Sequence, residues 1–260
     1  MHWILNIQVP SRQEIIDAFI QHGYIEMGSP LPVYEADRVI QDFREVIQRI
    51  TPEQLISTYA MYDEWQDIDI GFVDRSQKDG FDEKYYFHYH PHIHTQDTFR
   101  NHESYQVFLQ SLWVIYEKMD IIVQKVFDTL AADDENIRAL LYPHGGLYKT
   151  NSNTRVLQYR VGEHNPTHLA KAHTDRGFLT FALYETDPWL RLYDALGNPH
   201  DSDYVSGKMK LFPGDLWAPV MKTSPELPGT LHDVINMDTN NERASIVHFT
   251  NLAWAYSKSK

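Results

Sequence analysis

Three separated pieces, His173-Thr174-Asp175, His232 and Arg243-Ala244-Ser245, set the strongest constraint on how this chain folds. His and Asp two residues apart can share one side of an extended strand, because strand side chains alternate with period 2. A second His, 57 residues beyond Asp175, completes a two-His, one-carboxylate set only if the fold carries it back beside the first. Such a set occupies one face of an octahedral metal and leaves the other positions open. Arg243 follows His232 by 11 residues and stands two before Ser245, so these two can also share a face. A planar guanidinium beside a hydroxyl suits a carboxylate.

Each piece alone has a plainer reading. With 14 His and 36 acidic residues, a lone His-x-Asp can arise by accident. His173 or His232 alone reads as a hydrogen-bonded structural histidine, Asp175 as a turn aspartate before Arg176-Gly177, and Arg243 as half of a structural ion pair. The order His-x-Asp, His, Arg-x-Ser is far more specific than any member of it.

On these motifs the chain resembles the 2-oxoglutarate-dependent Fe(II) oxygenases, in particular the isopenicillin N synthase-like and plant soluble dioxygenase group. The matching stretches are 172–180, 229–234 and 242–249, and weaker similarity runs through nearly the whole chain. The segment Phe19-Ile20-Gln21-His22-Gly23-Tyr24 is similar to the helix, His-Gly-Phe, strand unit near the N-terminus of that group. The resemblance implies a double-stranded β-helix core, jelly-roll or cupin-like, with helices packed outside. It implies Fe(II) on His173, Asp175 and His232, and 2-oxoglutarate as co-substrate. Arg243 and Ser245 would hold the distal carboxylate of that co-substrate. Tyr159 matches the Tyr of the family's Asn-x-Tyr motif, which binds the same carboxylate, although Leu157 replaces the Asn. The implied reaction uses O2, oxidises a small-molecule substrate and releases succinate and CO2. Related halogenases have a small residue at the carboxylate position; Asp175 favours hydroxylation or another oxidation. Two other readings remain open. One is a 2-oxoglutarate-independent Fe(II) oxidase of the isopenicillin N synthase type, whose similar Arg-x-Ser pair holds substrate. The other is a non-catalytic metal- or ligand-binding protein on the same fold. Neither substrate nor oligomeric state is written in these motifs, since fold and cofactor pattern do not name them.

Composition narrows the field further. The chain has 260 residues, 42% of them hydrophobic, which is enough for one large globular domain with a real core. A formal net charge of −13 and the lack of a basic stripe argue against nucleic acid and against an anionic membrane surface. Without cysteine there is no disulfide scaffold or thiolate metal site, and a reducing cytosol fits. The first residues show no basic region followed by an apolar run, so the expectation is a cytoplasmic protein.

The pattern along the chain divides near residue 145. Residues 1–145 read as a mostly helical N-terminal part and 146–256 as the core strands, within one oxygenase domain spanning 1–260. A short strand is expected at 3–9. Ser11 and Glu14 have capping-box spacing ahead of the stripe Ile15, Ile16, Phe19, Ile20, and Gly23 follows as a stop. Helices are expected at about 35–50, from Thr51-Pro52 onward, and over 103–131; residues 63–83 read as an acidic surface loop. His88, His90, His92 and His94 would share one face of an extended segment, either as a metal tract or as a pocket-lining stretch that could touch substrate, and Pro91 argues against a central strand. Beyond Gly145-Gly146 the candidate strands are 154–160, 177–184, 190–193, 208–212, 216–220, 229–236 and 243–253. Phe249 and Asn251 continue the Arg243-Ser245 alternation as candidate pocket residues, while Asp215 and Asp233 read as turn or supporting groups. Few residues follow the last strand, where many family members continue into a covering helix. The expectation is an open mouth, or closure by the N-terminal half.

Overall fold

The computed structural model describes residues 6–49, 61–63, 68–75, 84–95, 103–142, 152–160, 168–201, 205–224, 226–235 and 243–252. Helix α1 (Arg12–His22) begins with the expected capping box. Ser11 Oγ accepts from Glu14 N at 3.3 Å, and Ser11 N donates to Glu14 Oε2 at 2.7 Å, so two orphan donors are satisfied reciprocally. Gly23 ends the helix at φ 77°, where a Cβ would lie 2.2 Å from the Tyr193 carbonyl oxygen; only glycine fits both demands. Strand β1 (Ile25–Gly28) and helix α2 (Val33–Arg49) follow. Residues 6–9 carry no strand, unlike the expectation for 3–9. Ile7 and Val9 instead pack against the core, and β1 takes the sheet edge.

Strand β2 (Met61–Asp63) ends where the expected loop begins, and that stretch itself contains a strand, β3 (Ile68–Arg75). Ile68, Ile70 and Phe72 recur there at every second position, and Ile70 and Phe72 are buried, the signature of a half-buried strand. The helix expected from Thr51 lies outside the described residues. Strand β4 (Lys84–Tyr89) lies inside the sheet between β3 and β5 (Ser152–Tyr159), and a 3-10 turn, Pro91–Thr95, ends it. The alternating histidines therefore do not share one extended face: His88 is on the strand, whereas His92 and His94 are in the turn that Pro91 opens. The long helix α3 (Glu103–Leu130) and a short α4 (Glu135–Leu141), capped by Asp134, complete the N-terminal part.

The remaining elements are β6 (His168–His173), β7 (Leu179–Glu185), β8 (Leu190–Tyr193), β9 (Pro199–Asp201), β10 (Lys208–Pro213), α5 (Trp217–Met221), β11 (His232–Ile235) and β12 (Ala244–Thr250). Residues 216–220, expected as a strand, form the turn into α5 instead. Pro219 is its third residue, where a backbone N–H would have no partner in the helix. All pairings are antiparallel, in two sheets ordered β1-β10-β7-β12-β5-β4-β3-β2 and β6-β11-β8-β9.

Alternation assigns each side of the larger sheet. Val156 of β5 and Ala244 and Ile246 of β12 join Phe43 of α2 and Phe108 of α3 in one core behind the sheet. Phe43 and Phe108 stack at 5.4 Å, and Phe87 meets Phe108 edge-on at 5.1 Å; truncating Phe108 there removes about 3–5 kcal/mol. The opposite side, with Tyr86, Leu157, Tyr159, Ala182 and Phe212, meets Leu169, Leu190, Leu192 and Val234 of the smaller sheet in a second core. Helices thus back one face of a two-sheet sandwich, and a cavity opens inside it. One irregularity shapes that cavity. Between β7 and β12 the register slips, Val247 facing Ala182 but Ile246 facing Tyr184. Leu183 is the extra residue, and this bulge reverses the alternation beyond it. Tyr184 turns to the helical side and donates its hydroxyl to Asp37, while Glu185 lines the cavity.

Candidate active site

Strands β6 and β11 bring the two histidines together, with His173 directly opposite His232. Their rings stand 4.3 Å apart between centroids, as expected of a cross-strand pair. Asp175 is not on the strand with His173, as alternation suggested. Strand β6 ends at His173, and Asp175 sits in the following turn. That turn is tied to the segment before α5: Asp215 N donates to Asp175 O at 2.8 Å, Leu216 N to Gly177 O at 3.1 Å and Gly214 N to Phe178 O at 3.0 Å. The carboxylate is aimed by Thr180, whose hydroxyl donates to Asp175 Oδ2 at 2.6 Å. Asp175 Oδ2 lies 3.7 Å from His232 Nε2. One donor atom from each of the three residues lies within 4.8 Å of the others, and among the described residues this is the one group of three or more His, Asp or Glu so disposed.

The donor chemistry fits a divalent metal. His173 Nδ1 is 2.7 Å from the Lys171 carbonyl and His232 Nδ1 is 3.0 Å from the Thr230 carbonyl. A carbonyl only accepts, so each Nδ1 carries the proton and each Nε2 keeps its lone pair for a metal. Burial, followed by the neighbouring His232, holds the His173 pKa below its ordinary value. That favours the neutral imidazole a metal requires.

Asp233 follows His232 and is buried. It accepts both arms of Arg191, at 3.0 and 2.7 Å, and the Tyr193 hydroxyl at 3.2 Å, with His168 Nε2 at 3.3 Å. Burial pushes this carboxyl up, but the Arg191 fork and the Tyr193 hydroxyl outweigh it, and the net shift is downward. Asp233 thus locks β11 to β8 and β6 and fixes the strand that carries His232. Asp215 is exposed and shapes the turn.

The remaining predicted residues line one cavity of about 60 Å³ with the three donors: Tyr159, Arg243 and Ser245, together with Phe249. Asn251 packs against Gly177 rather than lining it. Arg243 stands 5.2 Å from the Tyr159 ring centroid, and Lys84 Nζ stands 5.4 Å from the same ring. No motif in the chain indicated what Arg243 holds here. Its Nη2 donates to Glu185 at 2.7 Å, and Lys210 Nζ lies 3.7 Å from the other oxygen of Glu185. All three are buried. Two cations thus meet at one carboxylate. Arg243 Nε is buried with no hydrogen-bond partner, an unmet donor that an incoming carboxylate would satisfy.

Thr180, Glu185, Lys210, Lys84 and Arg155 all lie at or beside this cavity, and sequence reasoning missed each of them. Thr180 carried a readable signal, a hydroxyl five residues after a ligand candidate. Glu185 carried none, because the bulge at Leu183 decides which way it faces. Of the four histidines, His88 accepts from Arg155 Nε, and His94 Nε2 lies 2.6 Å from the Tyr89 hydroxyl. Among the described residues, no metal-ligating group includes them.

This geometry defines a double-stranded β-helix that gathers two His and one Asp on the wall of its cavity, His232 buried and His173 exposed, in an arrangement that could hold a metal. No protein-family model matches the chain, and no curated protein matches it. Solved structures do. The chain is similar to a Caulobacter crescentus protein described as a member of the 2OG-Fe(II) oxygenase family, at TM-score 0.69 and 20% identity, over 93% of this chain and 81% of that one. It is similar to a full-length Neurospora crassa protein in complex with α-KG and 5-formyluracil, at TM-score 0.70 and 17% identity, over 93% and 78%. It is also similar to the dioxygenase for auxin oxidation 1 of Arabidopsis thaliana in its 2-oxoglutarate complex, at TM-score 0.67 and 14% identity, over 93% and 87%. At these identities the likeness establishes the fold.

Proposed function

We propose that this protein is an Fe(II)- and 2-oxoglutarate-dependent oxygenase that oxidises a small molecule, built as a single oxygenase domain and working in the cytoplasm. The observation that carries the reading is the convergence of His173, Asp175 and His232 in the cavity that also exposes Arg243 and Ser245. The fold shared with proteins crystallised with 2-oxoglutarate supports it. No helix among the described residues is long and apolar enough to cross a membrane, and the absence of cysteine suits a reducing compartment.

In this reading His173, Asp175 and His232 hold the iron through two Nε2 atoms and one carboxylate oxygen. Thr180 and the two backbone carbonyls keep those donors oriented. Arg243 and Ser245, beside the Tyr159 ring, receive the distal carboxylate of 2-oxoglutarate, and the Arg243 guanidinium attracts it. Bound there, iron and co-substrate supply the oxidation: O2, 2-oxoglutarate and a substrate C–H bond give hydroxylated product, succinate and CO2. Leu157, Leu190, Phe212 and Val234 keep the surroundings apolar, which excludes water and strengthens each polar contact.

The test is anaerobic titration of the Fe(II) protein with 2-oxoglutarate, following the visible charge-transfer band. Arg243→Ala should weaken binding roughly a few hundred-fold. Arg243→Lys should weaken it less, because lysine keeps the charge but not the fork. Parent-like binding by Arg243→Ala would remove Arg243 from the co-substrate site.

A further inference from the structure

Arg155 on β5 lines the same cavity, and neither the metal nor the co-substrate has a use for it. Its Nε donates to His88, and its guanidinium lies 4.5 Å from the Phe249 ring centroid and 5.1 Å from that of Tyr86. Two rings and a histidine thus hold the group flat and fixed. Among the described residues no carboxylate forms an ion pair with it. It keeps partial exposure. Burial lowers its pKa from the ordinary arginine value, against the opposing pull of Tyr86 and then of Asp175, the proposed iron ligand.

In the loaded site Asp175 and a divalent metal would face one carboxylate of 2-oxoglutarate, and Arg243 and Lys210 the other. Lys84 and Arg243 flank Tyr159 at the co-substrate end, whereas Arg155 lies four residues away along β5, about 13 Å of extended chain. A five-carbon diacid held by Arg243 spans only about 5 Å between its ends, so its distal carboxylate does not serve Arg155. Its other carboxylate is matched by the metal. A guanidinium kept in an apolar cavity without an acidic partner is costly unless a ligand supplies one.

We propose that Arg155 is a specificity-determining residue that binds the carboxylate of the oxidised substrate, which makes that substrate a small carboxylic acid with an apolar body. The proposal rests on the oxygenase reading of the same cavity. The guanidinium fork receives the acid, Phe249 and Tyr86 prevent it from swinging away, and Leu157, Val247 and Phe212 contact the apolar portion. Anchored beside Asp175, the acid leaves its carbon skeleton to face the metal centre.

The test uses the Fe(II) protein under anaerobic conditions, with phenylacetate and its neutral isostere phenylacetamide as calorimetric probes, with and without 2-oxoglutarate. The parent should bind the acid about ten- to hundredfold more tightly than the amide, the usual worth of a charge-assisted fork. Arg155→Gln should abolish that preference, and Arg155→Lys should keep part of it. Neither variant should change 2-oxoglutarate affinity by more than about threefold, well under one charge-assisted bond. The parent's preference is measured without any substitution, so the proposal stays exposed even if Arg155→Gln fails to fold. Lack of acid-over-amide preference in the parent overturns it, whether neither probe binds or both bind alike. Preference surviving in Arg155→Gln overturns it as well. A matching loss of 2-oxoglutarate affinity in Arg155→Gln would overturn it by assigning the residue to the co-substrate instead. Failure of the oxygenase reading looks different: no charge-transfer band in the parent, whatever the probes do.

Discussion

Glu185→Gln isolates the least expected feature of the cavity. Glu185 is the one carboxylate between Arg243, at 2.7 Å, and Lys210, at 3.7 Å, and each of the three side chains is at most 5% exposed. At an effective dielectric of ~20 these contacts are worth roughly 6 and 4.5 kcal/mol gross, most of it offset by the desolvation of three charges. Glutamine keeps the shape and removes the charge, so the desolvation remains without its compensation. The expected loss is about 3–5 kcal/mol, or a fall in melting temperature of roughly 6–20 °C for a chain of this size. The same substitution leaves two buried cations facing the place proposed for the distal carboxylate of 2-oxoglutarate. Binding of that dianion should therefore tighten about tenfold, about 1.4 kcal/mol, and saturating 2-oxoglutarate should raise the variant's melting temperature more than the parent's by roughly 3–6 °C. Scanning calorimetry with and without 2-oxoglutarate reads both effects. A loss below about 1 kcal/mol would mean that the cluster is effectively solvated. Equal ligand shifts in variant and parent would refute the idea that co-substrate and Glu185 compete for Arg243.

Two further outcomes follow from individual side chains. Thr180→Val removes the hydroxyl that aims Asp175 and should weaken Fe(II) binding about 10- to 100-fold with little change in melting temperature; unchanged affinity in an anaerobic metal titration would show that the turn alone orients the carboxylate. His248 is buried on the helical side of β12, near Tyr116 and Phe181, with Thr154 Oγ1 at 3.0 Å, and burial pushes its pKa from 6.5 down to about 3. The unfolded chain therefore binds this proton more readily, and stability is lost as pH falls from 6.5 towards 3, by at most about 4–5 kcal/mol. Urea unfolding at pH 6.5 and pH 5 should show about 2 kcal/mol of that loss in the parent and a shallower slope in His248→Gln; identical slopes would exclude His248 as the source.

The candidate metal site was legible in the sequence because its three donors are rare in that order, and the structure brings them together. The capped start of α1, the glycine stop and the long α3 were legible because those signals are local. What escaped was set by tertiary structure. Strand period predicted Asp175 on the strand of His173, but β6 stops at His173, and bonds from Asp215, Leu216 and Thr180 place the carboxylate instead. Residues 68–75 read as loop because acidic residues outweighed the alternating Ile70 and Phe72, which the sheet buries. Residues 216–220 read as strand from composition, yet the turn after Gly214 starts a helix. Glu185 faces the cavity only through the bulge at Leu183. Arg155 looked like any strand arginine until Phe249, Tyr86 and His88 were seen around it.

The central claim is that His173, Asp175 and His232 together hold one iron. Anaerobic Fe(II) titration of the purified chain, followed by calorimetry and metal analysis after gel filtration, tests it most directly. The parent should retain one Fe(II) per chain, and His173→Ala, Asp175→Ala and His232→Ala should each lose it while keeping the circular dichroism of the folded protein. Retention of Fe(II) by folded Asp175→Ala with the parent's affinity would contradict the account.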